Sequence, residues 1–283
     1  MRKAVRYTNR AGVVRIGSQI GEEIIDAAPD GMRGFDASDQ AWDEVEAASG
    51  PRYALDEVKL LAPTLPGKVL CIGSNYRDHI VESGLVLPEH PVVFTKLTSA
   101  IIGPGDPIIV PFDEPQTDWE AELALIIGRR ARRATGTDAL SAIGGITAFN
   151  DVSGRHAQLV TGMGQYTRGK SFDTFGPLGP VVVHPDDVDI NSLNISLSVS
   201  GKTMQSSNTS QLLFDPRYLI EWLSAASTLL PGDVIATGTP GGVGHALNPP
   251  RYLQHGDYVE VTIQSVGTLR NPVIMEQAPR HAG

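Results

Sequence analysis

Thr117-Asp118-Trp119-Glu120-Ala121-Glu122-Leu123-Ala124-Leu125-Ile126-Ile127-Gly128 joins three carboxylates to an apolar run that stops at glycine. The run has the length and composition of a buried β-strand, and strand side chains alternate between faces. Asp118, Glu120 and Glu122 are therefore expected on one face together with Ala124 and Ile126. An inward row of carboxylates is costly unless a cation or strong hydrogen bonds neutralise it. Oxygen ligands suit a hard divalent ion such as Mg²⁺, Mn²⁺ or Ca²⁺. The pattern also suits a strand that begins at the surface with its glutamates solvated, and the stretch alone leaves both readings open.

The rest of the chain narrows the class. Its 283 residues suffice for one large or two modest domains with a buried core. The net charge of −9, from 23 basic and 32 acidic residues, argues against a general nucleic-acid binder. No apolar run is long enough to span a membrane. Met1-Arg2-Lys3-Ala4-Val5-Arg6-Tyr7 turns straight into an alternating strand pattern without a signal-peptide apolar block. The single cysteine, Cys71, excludes an internal disulfide and a cysteine-based zinc site. Together these features are read as a soluble, cytoplasmic protein. Arg129-Arg130-Ala131-Arg132-Arg133, just beyond Gly128, reads as a solvated hairpin ahead of a site for an anionic partner.

Thirty glycines and 20 prolines indicate a turn-rich, β-rich chain. Short strands at 5–7, 12–17 and 23–26 suggest a small antiparallel unit, followed by a helix near 41–48. Pro51, Pro63 and Pro66 break regular structure, and the boundary is placed there: a small N-terminal domain, 1–66, and a main domain, 67–283. The main domain opens with a buried strand at 68–73, then a short helix at 76–83 with Ser74 or Asn75 as its cap and Gly84 as its stop. Strands are expected at 91–96, 108–110, 144–151, 180–183, 194–199, 233–238 and 258–264, with a helical turn at 139–143. Apolar spacing makes 217–229 the clearest helix, stopped by Pro231-Gly232. The class is α+β, rich in β.

Several residues carry chemistry. His79 and Glu82 lie three apart on one helix face, where a carboxylate raises imidazole basicity and suits a general base, although surface pairs look the same. Asp151 ends an apolar strand as a further oxygen ligand or as a turn residue. Arg155 and Gln158 can reach a carboxylate or an oxyanion, or lie at the surface. Lys170, among glycines and aromatics, offers a point charge for a developing oxyanion, or is solvated. Thr237-Gly238-Thr239-Pro240-Gly241-Gly242-Val243-Gly244 resembles an anion-cradling loop but lacks the Walker lysine and the dinucleotide spacing. No serine elbow is present.

In this order the pieces resemble the fumarylacetoacetate hydrolase family. The matching segments are Ile72-Gly73-Ser74-Asn75-Tyr76-Arg77-Asp78-His79 through Glu82, Asp118 through Gly128, and Phe149-Asn150-Asp151. Gly169-Lys170-Ser171-Phe172-Asp173-Thr174-Phe175-Gly176-Pro177-Leu178-Gly179-Pro180 and the segment from Pro231 to Gly244 complete them. The resemblance implies a mixed β-sandwich roll, a homodimer, and a Mg²⁺-type ion on Glu120, Glu122 and Asp151. It implies His79 and Glu82 as a water-activating dyad on a lid helix, and Lys170 as an oxyanion or enolate stabiliser. Arg155, Gln158 and Thr239 are implied as substrate contacts, while Asp118 lies outside the Glu-x-Glu core. The implied reaction is hydrolysis of a carbon–carbon bond in a 2,4-dioxo acid of acylpyruvate or sugar-derived type. Decarboxylation of an oxaloacetate-like acid, or isomerisation of an unsaturated oxo-dioic acid of the 2-hydroxyhepta-2,4-diene-1,7-dioate type, are its alternatives on the same site. A metal-stabilised binding protein without turnover is the reading from another class.

Overall fold

A computed structural model describes residues 1–82, 84 and 86–278. It is an α+β, β-rich mixed sandwich roll, in which a 12-stranded sheet and a 5-stranded sheet enclose the main core. In the large sheet, the strand Ala121–Ile127 lies between Ile143–Asn150 and Val234–Ala236, antiparallel to both. Val69–Gly73 then pairs parallel with Val234–Ala236, and Val92–Lys96 follows antiparallel at the end of the row. The small sheet runs Lys202–Asn208, Asn194–Val199, Tyr258–Ile263, Gly267–Met275 and Ile108–Val110. No helix among the described residues is long and apolar enough to cross a membrane.

Alternation along the central strand divides the core. Leu123, Leu125 and Ile127 join Ile195, Leu197, Val259 and Val261 of the small sheet in one cluster. Ala124 and Ile126, on the other face, pack in a second cluster with Phe35, Trp42 and Val45. Phe35, Trp42 and Val45 come from the first 66 residues, where the helix Asp39–Glu46 is capped by Ser38. Sheet hydrogen bonding also crosses that division: Lys3 and Ala4 pair with Val183 and Val182. The N-terminal hairpins thus extend the large sheet on the side away from Val92–Lys96.

Four expectations change in detail. The strand expected from 117 to 128 is broken, with Thr117–Asp118 pairing separately to Ser153–Gly154 and the long strand beginning at Ala121. The best helix runs Pro216–Ala226, capped by Asp215 and ending three residues earlier than its apolar spacing suggests. Arg132 closes it, donating to the carbonyls of Ser224 and Ala225 at 3.0 and 2.9 Å. The basic cluster after Gly128 is therefore partly structural, since Arg129 also binds Asp39. The short helix spans Arg77–Glu82, and Ser83, its expected last residue, lies outside the described residues. Asn75 does not cap it but grips Phe214 N at 2.8 Å and Thr237 O at 2.8 Å.

Close backbone approach holds the two halves of the large sheet against the N-terminal segment. A Cβ on Gly144 would lie 2.1 Å from the Ala37 carbonyl and 2.6 Å from Gly128 Cα. Backbone on both sides leaves nothing flexible to yield. Gly144→Ala is expected to cost at least about 1–3 kcal/mol, the usual range for an overpacked core. Thermal unfolding measures it, and an unchanged midpoint would contradict the packing described.

Candidate active site

Where the central strand breaks, four carboxylates are buried together: Asp118, Glu120, Glu122 and Asp151. Asp151 arrives from the neighbouring strand, just past Asn150, whose side chain accepts from Glu120 N at 3.0 Å. Three cationic side chains enter the same space. Lys170, the last residue of the short helix Tyr166–Lys170, donates to Glu120 Oε2 at 2.7 Å and Asp151 Oδ2 at 2.8 Å. Arg155 donates through Nε to Asp118 at 2.9 Å, through a terminal nitrogen to Glu120 at 2.7 Å, and through the other to Gln158 at 3.1 Å. Lys96, fully buried at the end of its strand, lies 2.8 Å from Asp151 Oδ1.

Lys96 makes that contact by charge alone. Its three N–H groups go to the carbonyls of Val152 at 3.1 Å, Phe175 at 2.8 Å and Lys170. An ammonium has only three hydrogens, so Asp151 Oδ1 is left buried without a hydrogen-bond donor. Glu122 is equally short of partners: among the described residues it accepts one hydrogen bond, from Gly238 N at 2.8 Å, and no cation touches it. Burial first, then the charges of Asp151 and Glu120, push its pKa well above the usual carboxylate range. For Glu120 burial works the same way, but Lys170 and then Arg155 outweigh it and hold the carboxyl down at about 2. Burial opposes charge on Lys170, yet Asp151 and Glu120 prevail and raise its pKa.

Glu120, Glu122 and Asp151 each place one carboxylate oxygen within 4.8 Å of the other two. With an unpaired oxygen on Asp151 and an uncompensated charge on Glu122, this donor set fits a hard divalent cation. The fit rests on oxygen donors, burial and a missing positive charge, not on a particular ion.

Part of the cluster, Glu120, Glu122, Arg155 and Lys170, lines a cavity of about 230 Å³, whereas Asp118, Asp151 and Lys96 are not on its lining. His79, Glu120, Glu122, Arg155, Gln158, Lys170 and Thr239 all line it, together with Phe94, Leu159, Tyr166, Val243 and His245. Gln158 reaches it from a π-helical turn, His156–Thr161. Thr239 Oγ1 accepts from the buried Gln205 amide at 2.9 Å, which also bonds Ala121 N and Pro240 O. Glu82 is not on the lining. Its two oxygens accept from Gly242 N at 2.9 Å each, and Oε2 stands 3.6 Å from His79 Nδ1, beyond hydrogen-bond range. His79 Nδ1 has no hydrogen-bond partner among the described residues.

The glycine-rich loop that resembles an anion cradle does cradle anions, but they are the protein's own. Gly238 N serves Glu122, Gly242 N serves Glu82, and Gly244 N with His245 N serve Asp118 at 2.7 and 3.0 Å. Asp118 itself, outside the Glu-x-Glu pair, is the carboxylate that fixes Arg155. Lys96 and His245 do not stand out by spacing, whereas Asp118 does. The one available signal was the carboxylate alternation of Asp118 with Glu120 and Glu122.

Known proteins resemble this chain over most of its length. The family model described as fumarylacetoacetate (FAA) hydrolase C-terminal matches residues 68–274. A Bos taurus protein named oxaloacetate tautomerase FAHD2A, mitochondrial, is 46% identical over 226 residues, 79% of this chain and 72% of that protein. The crystal structure of a Mycobacterium smegmatis 5-carboxymethyl-2-hydroxymuconate delta-isomerase superposes with a TM-score of 0.81 at 39% identity, covering 98% of this chain and 100% of that one. A fumarylacetoacetate hydrolase from Exiguobacterium antarcticum gives 0.86 at 38% identity over the same shares.

A carboxyl whose pKa rises on folding favours the protonated native state. The stability due to Glu122 is thus present below its ordinary value near 4.5 and lost as pH climbs through the raised one. A divalent cation favours the carboxylate and reverses this. Added Mg²⁺ or Mn²⁺ is expected to raise the melting temperature, more at about pH 8 than at about pH 5, and Glu122→Gln should abolish the increment. An equal increment at both pH values, surviving in Glu122→Gln, would remove Glu122 from the site.

Proposed function

This chain belongs to the fumarylacetoacetate hydrolase family, and from that membership we propose that it catalyses keto–enol proton transfer in a 2-oxo dicarboxylic acid of the oxaloacetate type. The observation that carries the reading is His79: it lines the cavity, its Nδ1 has no hydrogen-bond partner among the described residues, and Glu82 bonds to Gly242 N. Moving a proton between carbon 3 and the 2-oxo oxygen needs one base and a stabilised enolate. It needs no water activated by an oriented dyad.

A hard divalent cation, when bound by Glu120, Glu122 and Asp151, would supply Lewis-acid polarisation of the 2-oxo group. The chain's own residues do the rest. In its unprotonated form, the His79 imidazole takes a proton from carbon 3. Negative charge then develops on the 2-oxo oxygen, toward which Lys170 has one uncommitted N–H. Transfer of that proton from the His79 imidazolium to the oxygen yields the enol and frees the base, and the reverse sequence returns the keto acid. Gln158 keeps its amide N–H groups for the substrate, because its carbonyl already accepts from Arg155. The apolar walls of Phe94, Leu159 and Val243 limit water around the enolate.

Hydrolysis of a 2,4-dioxo acid is the second reading, favoured by the placement of His79 and Glu82 on one face of the helix Arg77–Glu82. It requires Glu82 to leave Gly242 and close on His79 to orient it for attack by water.

Proton NMR of oxaloacetate in deuterated buffer separates the readings, each run made with Mg²⁺ and with EDTA. Enzyme- and metal-dependent exchange at carbon 3, reduced roughly 10²–10⁴-fold in His79→Ala, is the expected result. Acetate and pyruvate formed from acetylpyruvate would instead establish hydrolysis. Pyruvate released from oxaloacetate above the metal-only rate would indicate decarboxylation.

A further inference from the structure

A dicarboxylate brings a second charge into a cavity whose cations are already committed. Arg155 is engaged by Asp118, Glu120 and Gln158, and Lys170 keeps one N–H for the reacting end. A second carboxylate left against apolar walls would be costly. We propose that His245 forms a subsite for the substrate's distal carboxylate, with its imidazole as the hydrogen-bond donor. The subsite rests on the dicarboxylate reading above and names the residue that would make it selective.

Backbone contacts put His245 there. Gly244 N and His245 N both donate to the carboxylate of Asp118, which is itself locked to Arg155. The turn tolerates only glycine at 244, since a Cβ there would lie 2.0 Å from the Arg251 carbonyl. The imidazole is thereby carried to the cavity lining, while Nδ1 lies 2.9 Å from Tyr252 Oη. A tyrosine hydroxyl that donates to Nδ1 would put the ring proton on Nε2, at the edge turned away from Tyr252. Burial and then Arg155 lower the imidazole's pKa, with Asp118 opposing them, so the resting ring is an uncharged donor. An uncharged donor does not compete with Arg155 for Asp118. It gains most when a carboxylate arrives, because hydrogen bonds to charged acceptors are the stronger ones.

L-malate and L-lactate are 2-hydroxy acids that differ in the distal carboxylate, and neither can tautomerise. Calorimetric titration of both into the full-length protein with Mg²⁺ tests the subsite directly. The wild-type protein is expected to bind malate roughly ten-fold or more tightly than lactate. His245→Ala should lose that preference through weaker malate binding, with lactate affinity unchanged, and His245→Gln, which keeps an N–H donor, should restore part of it. Absence of a malate preference in the wild type, or its persistence in His245→Ala, would overturn the proposal. Oxaloacetate exchange measured on the same samples keeps the two readings apart. Exchange with an unaltered preference in His245→Ala refutes the subsite alone. Loss of the preference without any exchange in the wild type refutes the reaction and leaves the subsite standing.

Discussion

Four buried carboxylates faced by three buried cations are the constraint around which this molecule is arranged. Asp118, Glu120 and Asp151 each meet a lysine or arginine, and Glu122 meets only a peptide N–H. Removing one member of a buried pair typically costs about 3–5 kcal/mol, because the survivor keeps its desolvation penalty. The residues of the network therefore constrain one another, and so do the elements that carry them. These are the broken central strand, its neighbour ending at Asn150, the π-helical turn at 156–161, the helix ending at Lys170, and the strand Val92–Lys96. The imbalance of one charge gives the site its appetite for a cation. It is local, and it coexists with a lysine that bridges two of the same carboxylates.

The loop at 238–245 answers the same constraint with backbone. Peptide N–H groups neutralise anions without bringing a side chain into the space a substrate needs. Glycines make this possible: Gly238 and Gly242 adopt φ of +102° and +98°, where a side chain is strained. One loop thus serves the carboxylate on the cavity lining, Glu122, the one on the helix Arg77–Glu82, Glu82, and the one that holds Arg155 Nε, Asp118. Folding of the loop and assembly of the site are a single event.

Legibility in the sequence followed the range of the interactions. The central strand, the helix Arg77–Glu82 and the helix Pro216–Ala226 are visible because local periodicity creates their apolar faces. Glu120, Glu122 and Asp151 were visible as candidates, though only a family resemblance brought them together. Lys96 was not visible. Its partners, Asp151, Val152, Lys170 and Phe175, lie 55 or more residues away along the chain, and nothing about an edge strand ending in lysine distinguishes a buried ammonium. The strands Lys202–Asn208 and Gly267–Met275 escaped for another reason: the first is polar and the second contains Pro272, so pairing partners, not composition, make them strands. The break at Trp119–Glu120 is likewise tertiary, since the Trp119 indole donates to Gly242 O while its backbone N–H turns to Asp118.

The position of Glu82 shows how one site of this kind accommodates different reactions. In the proposed reaction, enolate formation would depend on His79, on the carboxylate cluster and on Lys170, the last two being buried and cross-linked by ion pairs. Attack by water depends in addition on the distance between His79 and Glu82, which is set by a partly exposed helix and one loop N–H. A charge-assisted hydrogen bond to a peptide N–H at the surface is worth about 1.5–3 kcal/mol at most, comparable with the bond Glu82 would make to His79 instead. The buried part of the first set is hard to change without unfolding the site, and the second changes with a single contact. Substitution of Glu82, or loss of its contact with Gly242 N, would therefore alter the fate of the enolate while leaving His79, Lys170 and the buried carboxylates in place.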